Sequence, residues 1–385
     1  MKKQLPAAIV GVSTGFIRGA GTLDPLDMIA HVATEALNEA GLSLKDVDGL
    51  FAGMQREFLS TLAVGEYLGI RPRFSDNNRL GGSSFLAHTE QAALALAAGK
   101  CDVALIVYGS NQRSSVGKLQ TAVAADWSPT EAPYGARFPV SSYALAAARH
   151  MYEYGTTREH LAAVAVSARQ WAQRNPEAFS QAPLMIDDVL SERMISSPLG
   201  KLDCCLVTDG AGAIVMVNAN RAKDLATKPV YLAGAASEHW HKQISAMPDL
   251  CSTAASASSA RALKAAKMQL SDIDVVQIYD AFTISTLMIL EDLGFCPKGE
   301  GGPFVSEGHI APGGMLPVNT SGGGLSYGHP GMFGIFILIE GVRQLRGEAG
   351  DRQVQGAKVC LCQGSGGTFS SQITNILALE EALSL

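Results

Sequence analysis

Short runs of consecutive apolar residues alternate with amphipathic stretches along this chain of 385 residues. The runs at 103–107 and 359–362 contain no charged position, which is typical of strands buried on both faces. The stretch 332–339 is apolar on all sides and predicts a buried central helix. The same order of elements occurs twice along the chain: strand, helix, strand, glycine-rich loop, buried helix and strand. This order predicts an α/β fold with a mostly parallel sheet covered by helices.

A weak internal repeat favours a duplicated architecture. Residues 36–48 align without gaps with residues 262–274, and six of the 13 positions are identical. Both copies run on into an apolar strand, and strand-like segments at 8–12 and 230–234 precede them. Agreement in order, spacing and element type favours duplication over a chance match.

The duplication predicts two domains. An N-terminal half covers residues 1–225 and carries a long insertion at about 111–198 with its own helical pattern. A C-terminal half covers residues 226–385. The boundary falls at 218–228, where charged and small polar residues interrupt the apolar pattern.

Composition and charge exclude several classes of function. The chain is 47% apolar and 17% charged, with a net charge of −6 and a pI near 5.8, which argues against a nucleic-acid surface or a polybasic membrane patch. The longest apolar run is too short to span a bilayer, and the N-terminus lacks a convincing secretion signal, so we expect a cytoplasmic protein. The seven cysteines are scattered and odd in number, which favours buried thiols over disulfides. None has the spacing of metal ligands.

Two glycine-rich turns open apolar helices. Gly81 and Gly82 lead into the segment 83–98, and Gly331 leads into the segment 332–345. Helix N-termini present unpaired backbone N–H groups and a positive dipole end, which suit an enolate or thioester oxygen. Close helix packing is the alternative use of such glycines, and one glycine-rich turn alone is weak evidence.

Five ordered motifs resemble the thiolase superfamily. Residues 279–282 (YDAF), 328–331 (GHPG) and 363–367 (QGSGG) have the order and spacing of the three C-terminal catalytic loops of thiolases. Residues 154–159 (YGTTRE) and 202–211 (LDCCLVTDGA) resemble the sterol-carrier and lipid-transfer branch. The resemblance covers essentially the whole chain. It implies a thiolase-like fold of two five-stranded, mostly parallel sheets with buried central helices, layered αβαβα, and a homodimer.

The chain departs from the thiolase pattern at the nucleophile. Thiolases attack a 3-ketoacyl-CoA with a cysteine thiolate, and that position falls here on Gly81 or Gly82. Tyr279 replaces the Asn or His that polarises the thioester carbonyl. Because glycine has no side chain, covalent acyl transfer from this position is excluded. Ser83 and Ser84 lie nearby, but serine at a helix N-terminus is more often a cap.

A pocket that stabilises a thioester enolate without a nucleophile suits an aldol or retro-aldol step on a β-hydroxyacyl-CoA. We assign Tyr279 and Tyr327 to the proton transfers, without deciding which is the acid. His329 serves as an oxyanion donor or tunes one tyrosine, since a free phenol has a pKa of about 10. Tyr143 is interpreted as a packing residue, as are Tyr152 and Tyr231.

Further candidates could form the oxyanion and substrate pocket. They are Gly81, Gly82, Ser83, Asn319, Gly366 and Cys362. Cys362 is equally consistent with a buried inert thiol, because Cys360 alternates with it in a strand. We expect no bound cofactor and no metal, with coenzyme A present only as part of the substrate.

The resemblance also implies a precedent and a partner. Members of the lipid-transfer branch without the cysteine cleave β-hydroxyacyl-CoA intermediates of steroid side-chain degradation, together with a small OB-fold subunit. Two alternatives remain open. One is an acetyl-CoA acetyltransferase or 3-ketoacyl-CoA thiolase that uses Cys362 or another cysteine, and the other is a non-catalytic subunit of a thiolase-like complex. No sequence feature identifies the acyl group.

Overall fold

The computed structural model describes residues 7–55, 57–116 and 129–383. In chain order the strands are β1 (Ala7–Gly15), β2 (Gly49–Ala52), β3 (Phe74–Asp76), β4 (Val103–Ser110), β5 (Met194–Ser196), β6 (Leu199–Gly200), β7 (Gly210–Asn218), β8 (Val230–His239), β9 (Val275–Ile278), β10 (Val359–Gly366) and β11 (Ser371–Ala378). Within the described ranges, nine strands form one sheet in the order β3-β2-β4-β7-β1-β8-β11-β10-β9. The strands β5 and β6 form a separate hairpin.

Helices cover both faces of this sheet. In chain order they are α1 (Pro25–Glu39), α2 (Ser60–Leu68), α3 (Ser84–Ala97), α4 (Gln112–Val116), α5 (Val140–Tyr154), α6 (Arg158–Ala172), α7 (Ile186–Ser191), α8 (Ala219–Ala222), α9 (Ala255–Ala266), α10 (Thr283–Leu293), α11 (Gly301–Ser306) and α12 (Gly334–Arg346). Across the described part of the chain, none of these helices has the length and apolar character that a membrane crossing requires.

Strand directions agree with the predicted duplication. In the first half β1, β2, β3 and β4 run the same way and β7 runs opposite to them. In the second half β8, β9 and β10 run the same way and β11 is reversed. The pairings beside β7 and β11 are therefore antiparallel, and the outer pairings are parallel.

Two details differ from the expected pair of five-stranded sheets. A short antiparallel pairing of β1 with β8, at Ala8 with Tyr231 and Ile9 with Val230, joins the two halves into one sheet. In the second half the fifth position is held by Val318, which forms a single parallel bridge with Val276. Four named strands therefore come from this half, because the chain beside β9 turns away after one residue.

The helices form the predicted αβαβα layers. The helix α1 packs on the first-half strands and α9 packs on β8 and β11, each within a separate apolar cluster. The helices α3 and α12 lie between the two halves and contact strands of both. The all-apolar stretch at the start of α12 is buried from Gly334 to Ile339, as its pattern predicts.

The two copies of the repeat make equivalent close contacts. A Cβ added to Gly11 in β1 would lie 2.0 Å from Ala36 O in α1, and a Cβ added to Gly234 in β8 would lie 2.2 Å from Ala262 O in α9. Only glycine allows the helix backbone to approach the strand this closely. Because Ala36 and Ala262 are aligned in the repeat, each copy uses the same device to seat its first helix.

The aspartates that end the two copies also have the same role. Asp48 Oδ1 accepts hydrogen bonds of 2.8 and 2.9 Å from two consecutive backbone N–H groups at the start of β4. Asp274 Oδ2 accepts the same pair at the start of β10, at 2.8 and 2.9 Å. Each carboxylate therefore fixes where a central strand begins.

The predicted domain boundary at 218–228 lies between β7 and β8, and the division into two domains stays a prediction. The predicted insertion contains α4 to α7 and the β5–β6 hairpin. Residues 117–128 of the insertion lie outside the described residues. Residues 1–6, on which the interpretation of the N-terminus depends, also lie outside them.

The C-terminal caps of the repeated helices predict a stabilising substitution. Lys267 caps α9 with a φ of 59°, whereas the aligned residue after α1 is Gly41 with a φ of 71°. The left-handed conformation costs a residue with a Cβ about 1–2 kcal/mol, which glycine avoids. Glycine loses more conformational entropy on folding, and this cancels about 0.5–1 kcal/mol of the gain. We therefore expect Lys267→Gly to raise the free energy of unfolding by about 0.5–1 kcal/mol, measured by urea denaturation. Gly41→Ala should do the opposite, and a neutral or destabilising Lys267→Gly would contradict this account.

Candidate functional site

The three loops identified by the sequence converge on one cavity of ≈ 410 Å³. Tyr279 follows β9, His329 lies in the loop before α12, and Gly81 and Gly82 form the tight turn before α3. All four line the cavity, together with Gly366 at the end of β10. Most of the predicted site is thus assembled where strands end and helices begin.

Tyr279 and His329 form a hydrogen-bonded pair. The Tyr279 hydroxyl lies 2.9 Å from His329 Nε2 and 3.5 Å from Gly331 O. The two rings meet edge to face at a centroid distance of 5.6 Å, and the imidazole stacks on Phe333. These contacts fix the phenol oxygen beside the start of α12.

The ring of Tyr279 occupies the space that a side chain at position 82 would need. A Cβ added to Gly82 would lie 2.0 Å from Tyr279 Cε2 and 2.6 Å from Ser365 O. Gly81 has a φ of 64°, and its added Cβ would instead meet Gly367 N at 2.9 Å. Gly82 is therefore the position from which a side chain would point at the Tyr279 ring, and a side chain there excludes the observed phenol.

Burial sets the protonation of the pair. Desolvation raises the pKa of Tyr279 well above its usual range, although the backbone of Phe333 at the start of α12 partly opposes this. Desolvation lowers the pKa of His329 to about 4. At neutral pH both groups are uncharged, so the phenol carries a proton that it can donate.

The hydrogen bond to Tyr279 is made by one ring nitrogen of His329. His329 Nδ1 is buried and has no hydrogen-bond partner in the described residues, so Nε2 makes the contact with the phenol. With the ring proton on Nδ1, Nε2 accepts the phenol proton. With the ring proton on Nε2, the imidazole donates to the phenol oxygen, and the phenol proton is free to point into the cavity.

The backbone around His329 is held by residues of the first half. The Tyr108 hydroxyl donates to Pro330 O at 2.5 Å and accepts from Met332 N at 3.2 Å. Gln112 Nε2 donates to His329 O at 2.8 Å, and His329 N donates to Thr208 Oγ1 at 2.9 Å. The loop that carries the imidazole is therefore positioned from across the sheet.

Two other predicted residues support the site without lining the cavity. Ser83 is fully buried, and its hydroxyl donates to Leu80 O and hydrogen-bonds Ser371 Oγ, both at 2.8 Å. Asn319 has a φ of 53°, and its Oδ1 accepts from Ile278 N at 2.7 Å, beside the start of the Tyr279 loop. Both side chains are committed to structural hydrogen bonds.

The structure separates Cys362 from the cavity. Its side chain is fully buried in β10, 3.8 Å from the sulfur of Cys360 and 3.8 Å from Ile337 O in α12. No hydrogen bond joins it to His329 or Tyr279. The geometry fits the inert-thiol interpretation.

Tyr327 is also separated from the Tyr279–His329 pair. It does not line the cavity among the described residues, and its hydroxyl lies 3.5 Å from Glu177 Oε2. Glu177 also pairs with Arg343 at 3.4 Å near the surface. The turn of residues 323–327 before His329 has π-helical geometry, and this backbone directs Tyr327 away although it is only two residues from the imidazole.

Several lining residues were not among the candidates, and two of them, Tyr143 and Cys205, have side chains that could take part in the chemistry. Tyr143, interpreted from the sequence as a packing residue, lines the cavity from α5, and Cys205 lines it from the segment before β7. Burial raises the pKa of the Cys205 thiol well above its usual range, so the thiol is a poor nucleophile. The LDCC motif that contains Cys205 is the one sequence signal that could have drawn attention to it.

The mouth of the cavity is basic. Among the described lining residues there are Arg79, His239, His241 and Lys242, and no Asp or Glu. This local excess of basic groups, in a chain with a net charge of −6, favours an anionic ligand. Within residues 7–55, 57–116 and 129–383, no group of three or more His, Cys, Asp or Glu side chains could hold a metal ion.

Known proteins resemble the chain over its whole length. The family described as Thiolase C-terminal domain-like matches residues 236–379. The acetyl-CoA acetyltransferase of Methanothermobacter thermautotrophicus is 34% identical over 384 residues, 96% of this chain and 99% of that protein. The 17-hydroxy-3-oxo-4-pregnene-20-carboxyl-CoA lyase of Mycobacterium tuberculosis is 36% identical over 362 residues, 89% of this chain and 92% of that protein.

A solved structure agrees with this likeness. The structure of the Ltp2-ChsH2(DUF35) aldolase superposes with a TM-score of 0.88 at 31% sequence identity, covering 97% of this chain and 98% of that chain. Fold and overall sequence therefore agree. The chain belongs to the thiolase superfamily, in its lipid-transfer branch.

Proposed function

We propose that the chain is a CoA-dependent lyase that cleaves the carbon–carbon bond of a β-hydroxyacyl-CoA by a retro-aldol reaction. The observation that carries the proposal is the replacement at the centre of the site, where the Tyr279 ring fills the space beside Gly82. A phenol paired with an imidazole transfers protons and forms no acyl-enzyme. The relatives named as a lyase and an aldolase support this reaction class.

Two parts of the cavity suit an acyl-CoA. The backbone N–H groups of the turn at Gly81 and Gly82, before α3, can stabilise negative charge on the thioester oxygen as the enolate forms. The basic mouth formed by Arg79, His239, His241 and Lys242 suits a substrate that carries an anionic group. No cofactor beyond the CoA of the substrate is needed for a retro-aldol step.

The Tyr279–His329 pair would receive the proton of the β-hydroxyl. As that proton reaches the phenol oxygen, the phenol proton passes to His329 Nε2, which accepts it in the tautomer that carries the ring proton on Nδ1. The carbon–carbon bond then breaks, its electron pair forms the thioester enolate, and a ketone or aldehyde is released. A second group must return a proton to the α-carbon of the enolate.

The acetyltransferase relative supports a second candidate function, acyl transfer from a cysteine. In the described cavity the available thiol is that of Cys205, because Cys362 lies inside β10. The raised pKa of Cys205 disfavours the thiolate that thiolysis requires. A non-catalytic subunit is disfavoured by the intact pair of Tyr279 and His329.

Product analysis separates these functions. The purified chain, alone and with a DUF35-type partner, is incubated with a panel of β-hydroxyacyl-CoA thioesters, including steroid side-chain intermediates, and the products are identified by mass spectrometry. We expect a shorter acyl-CoA and one equivalent of ketone or aldehyde. Thiolysis of a 3-ketoacyl-CoA that iodoacetamide abolishes, without cleavage of any β-hydroxy substrate, would instead establish a thiolase.

We also propose a homodimer and a partner subunit. The strand β3 ends the sheet, and α2 packs on its neighbour β2. In and just before α2, Phe58, Leu62 and Tyr67 are 78%, 65% and 49% exposed. An open strand edge with apolar neighbours suits pairing with a second copy, and sedimentation velocity measures the oligomeric state directly.

The DUF35 subunit named with the structural relative supports a partner of that kind. Assays with and without such a subunit test whether it is needed for activity.

A further inference from the structure

The retro-aldol reaction moves protons at two places. The β-hydroxyl loses a proton, and the α-carbon of the enolate gains one. Tyr279 and His329 carry out the first transfer. The second tyrosine assigned from the sequence is Tyr327, but its hydroxyl lies at Glu177, outside the cavity. The second proton must come from another group that faces the cavity.

Tyr143 has the required position. It lies on the inner face of α5, is 3% exposed and lines the same cavity as Tyr279. Its ring is held between Phe282 and Phe369, at centroid distances of 4.4 and 4.7 Å. The hydroxyl donates to Gly367 O at 3.1 Å. The flanking rings leave the phenol little freedom except rotation of its O–H.

The surroundings of Tyr143 suit a proton donor. Desolvation raises its pKa, so the phenol is protonated at neutral pH. The backbone of Phe369 and the side chain of Ser365 lower the pKa of the phenol, which partly offsets the effect of burial. These two polar neighbours would help to stabilise the phenolate that remains after a proton has been given away. Tyr279 is near enough for the two phenols to interact electrostatically.

We propose that Tyr143 is the second catalytic residue, which protonates the α-carbon of the thioester enolate. This rests on the retro-aldol function proposed above. When the carbon–carbon bond breaks, its electron pair enters the enolate, and the enolate then takes the Tyr143 proton to form the new C–H bond. His329 is left protonated and Tyr143 ionised. Transfer of that proton from His329 to Tyr143 through the cavity solvent restores both groups, so no outside acid or oxidant is consumed.

Cys205 is the rival donor, since its thiol lines the same cavity. The Tyr143 phenol is held in a fixed position by Phe282, Phe369 and the carbonyl of Gly367, whereas burial and the neighbouring Cys204 and Asp280 raise the pKa of the Cys205 thiol and disfavour loss of its proton. Tyr143 is therefore the better-positioned donor.

The test separates cleavage from proton return. Wild type, Tyr143→Phe and Cys205→Ser are compared in two assays: turnover of a β-hydroxyacyl-CoA, and deuterium uptake from D2O at the α-carbon of the acyl-CoA product. We expect Tyr143→Phe to lose at least about 100-fold in kcat with little change in KM and to lose the exchange to a similar extent. Tyr152→Phe, an exposed tyrosine on the same helix, is the matched control and should behave as wild type.

The outcomes distinguish the two proposals. If the wild type cleaves no β-hydroxyacyl-CoA, the proposed function fails. If the wild type cleaves the substrate and Tyr143→Phe keeps normal turnover and exchange, the assignment of Tyr143 alone is overturned. Loss of exchange in Cys205→Ser but not in Tyr143→Phe also overturns it. Circular dichroism and binding of the acyl-CoA product verify that Tyr143→Phe is folded, since removal of one oxygen preserves both ring contacts.

Discussion

Tyr279→Phe lowers kcat for cleavage of a β-hydroxyacyl-CoA by about 10²–10⁴-fold, the range expected when a proton-transfer group is removed. The substitution deletes the oxygen that lies 2.9 Å from His329 Nε2 and keeps the ring beside Gly82. Steady-state kinetics should show a change in kcat with a much smaller change in KM, because the cavity keeps its shape.

The control for Tyr279→Phe is a second buried tyrosine. Tyr231 in β8 is 1% exposed, and its hydroxyl has no hydrogen-bond partner in the described residues. Tyr231→Phe should therefore keep its turnover. Tyr327→Phe should lower turnover far less than Tyr279→Phe, because its hydroxyl lies at Glu177. Equal losses in Tyr279→Phe and Tyr327→Phe would restore the original assignment of both residues, and full activity of Tyr279→Phe would remove the phenol from the mechanism.

Gly82→Ala has the second large expected effect, although it adds only one methyl group. That methyl would lie 2.0 Å from Tyr279 Cε2 and 2.3 Å from Cζ, so the ring must leave its position. We expect a loss of activity comparable with Tyr279→Phe and a loss of stability of about 1–3 kcal/mol from overpacking. Turnover and urea denaturation measure the two effects.

A matched substitution and a double-mutant cycle isolate the cause. At Gly15 an added Cβ would meet only Val32 Cγ1, at 3.6 Å, so Gly15→Ala should be close to neutral. In a Tyr279→Ala background the ring is absent, and Gly82→Ala should lose the part of its destabilising effect that the ring causes, while the 2.6 Å contact with Ser365 O remains. Additive losses in the double variant would show that the conflict lies elsewhere, for example with the Ser365 carbonyl.

The sequence predicts the fold well because the relevant signals are local. The unbroken apolar runs at 103–107 and 359–362 are buried strands, and the fully apolar start of α12 is a central helix. The repeat at 36–48 and 262–274 is visible in the structure as two pairs of matching contacts. In each copy a strand glycine packs against the first helix, and an aspartate accepts hydrogen bonds from the start of a central strand. The single bridge at Val318 and the joining of the halves through β1 and β8 depend on backbone detail that no pattern of residue types encodes.

The site is predicted in part for the same reason. Tyr279 and His329 come together because Tyr279 directly follows β9 and His329 lies in the loop that leads into α12. Tyr143 gives no comparable signal, because it lies on the apolar face of α5, where a packing residue would also lie. Its contacts with Phe282, Gly367 and Phe369 join positions more than 130 residues apart. Tyr327 shows that proximity along the chain does not ensure proximity in space, since it is separated from His329 by Gly328 alone and its hydroxyl lies at Glu177.

The hydrogen bonds from Tyr108, Gln112 and Thr208 to the His329 loop have a consequence for how this chemistry could arise. The imidazole belongs to one copy of the repeat, while the groups that orient it belong to the other. A single ancestral copy could have assembled this arrangement only by associating with a twin. Fusion of the two copies freed each to specialise, one to supply the reacting groups and the other to hold them in place.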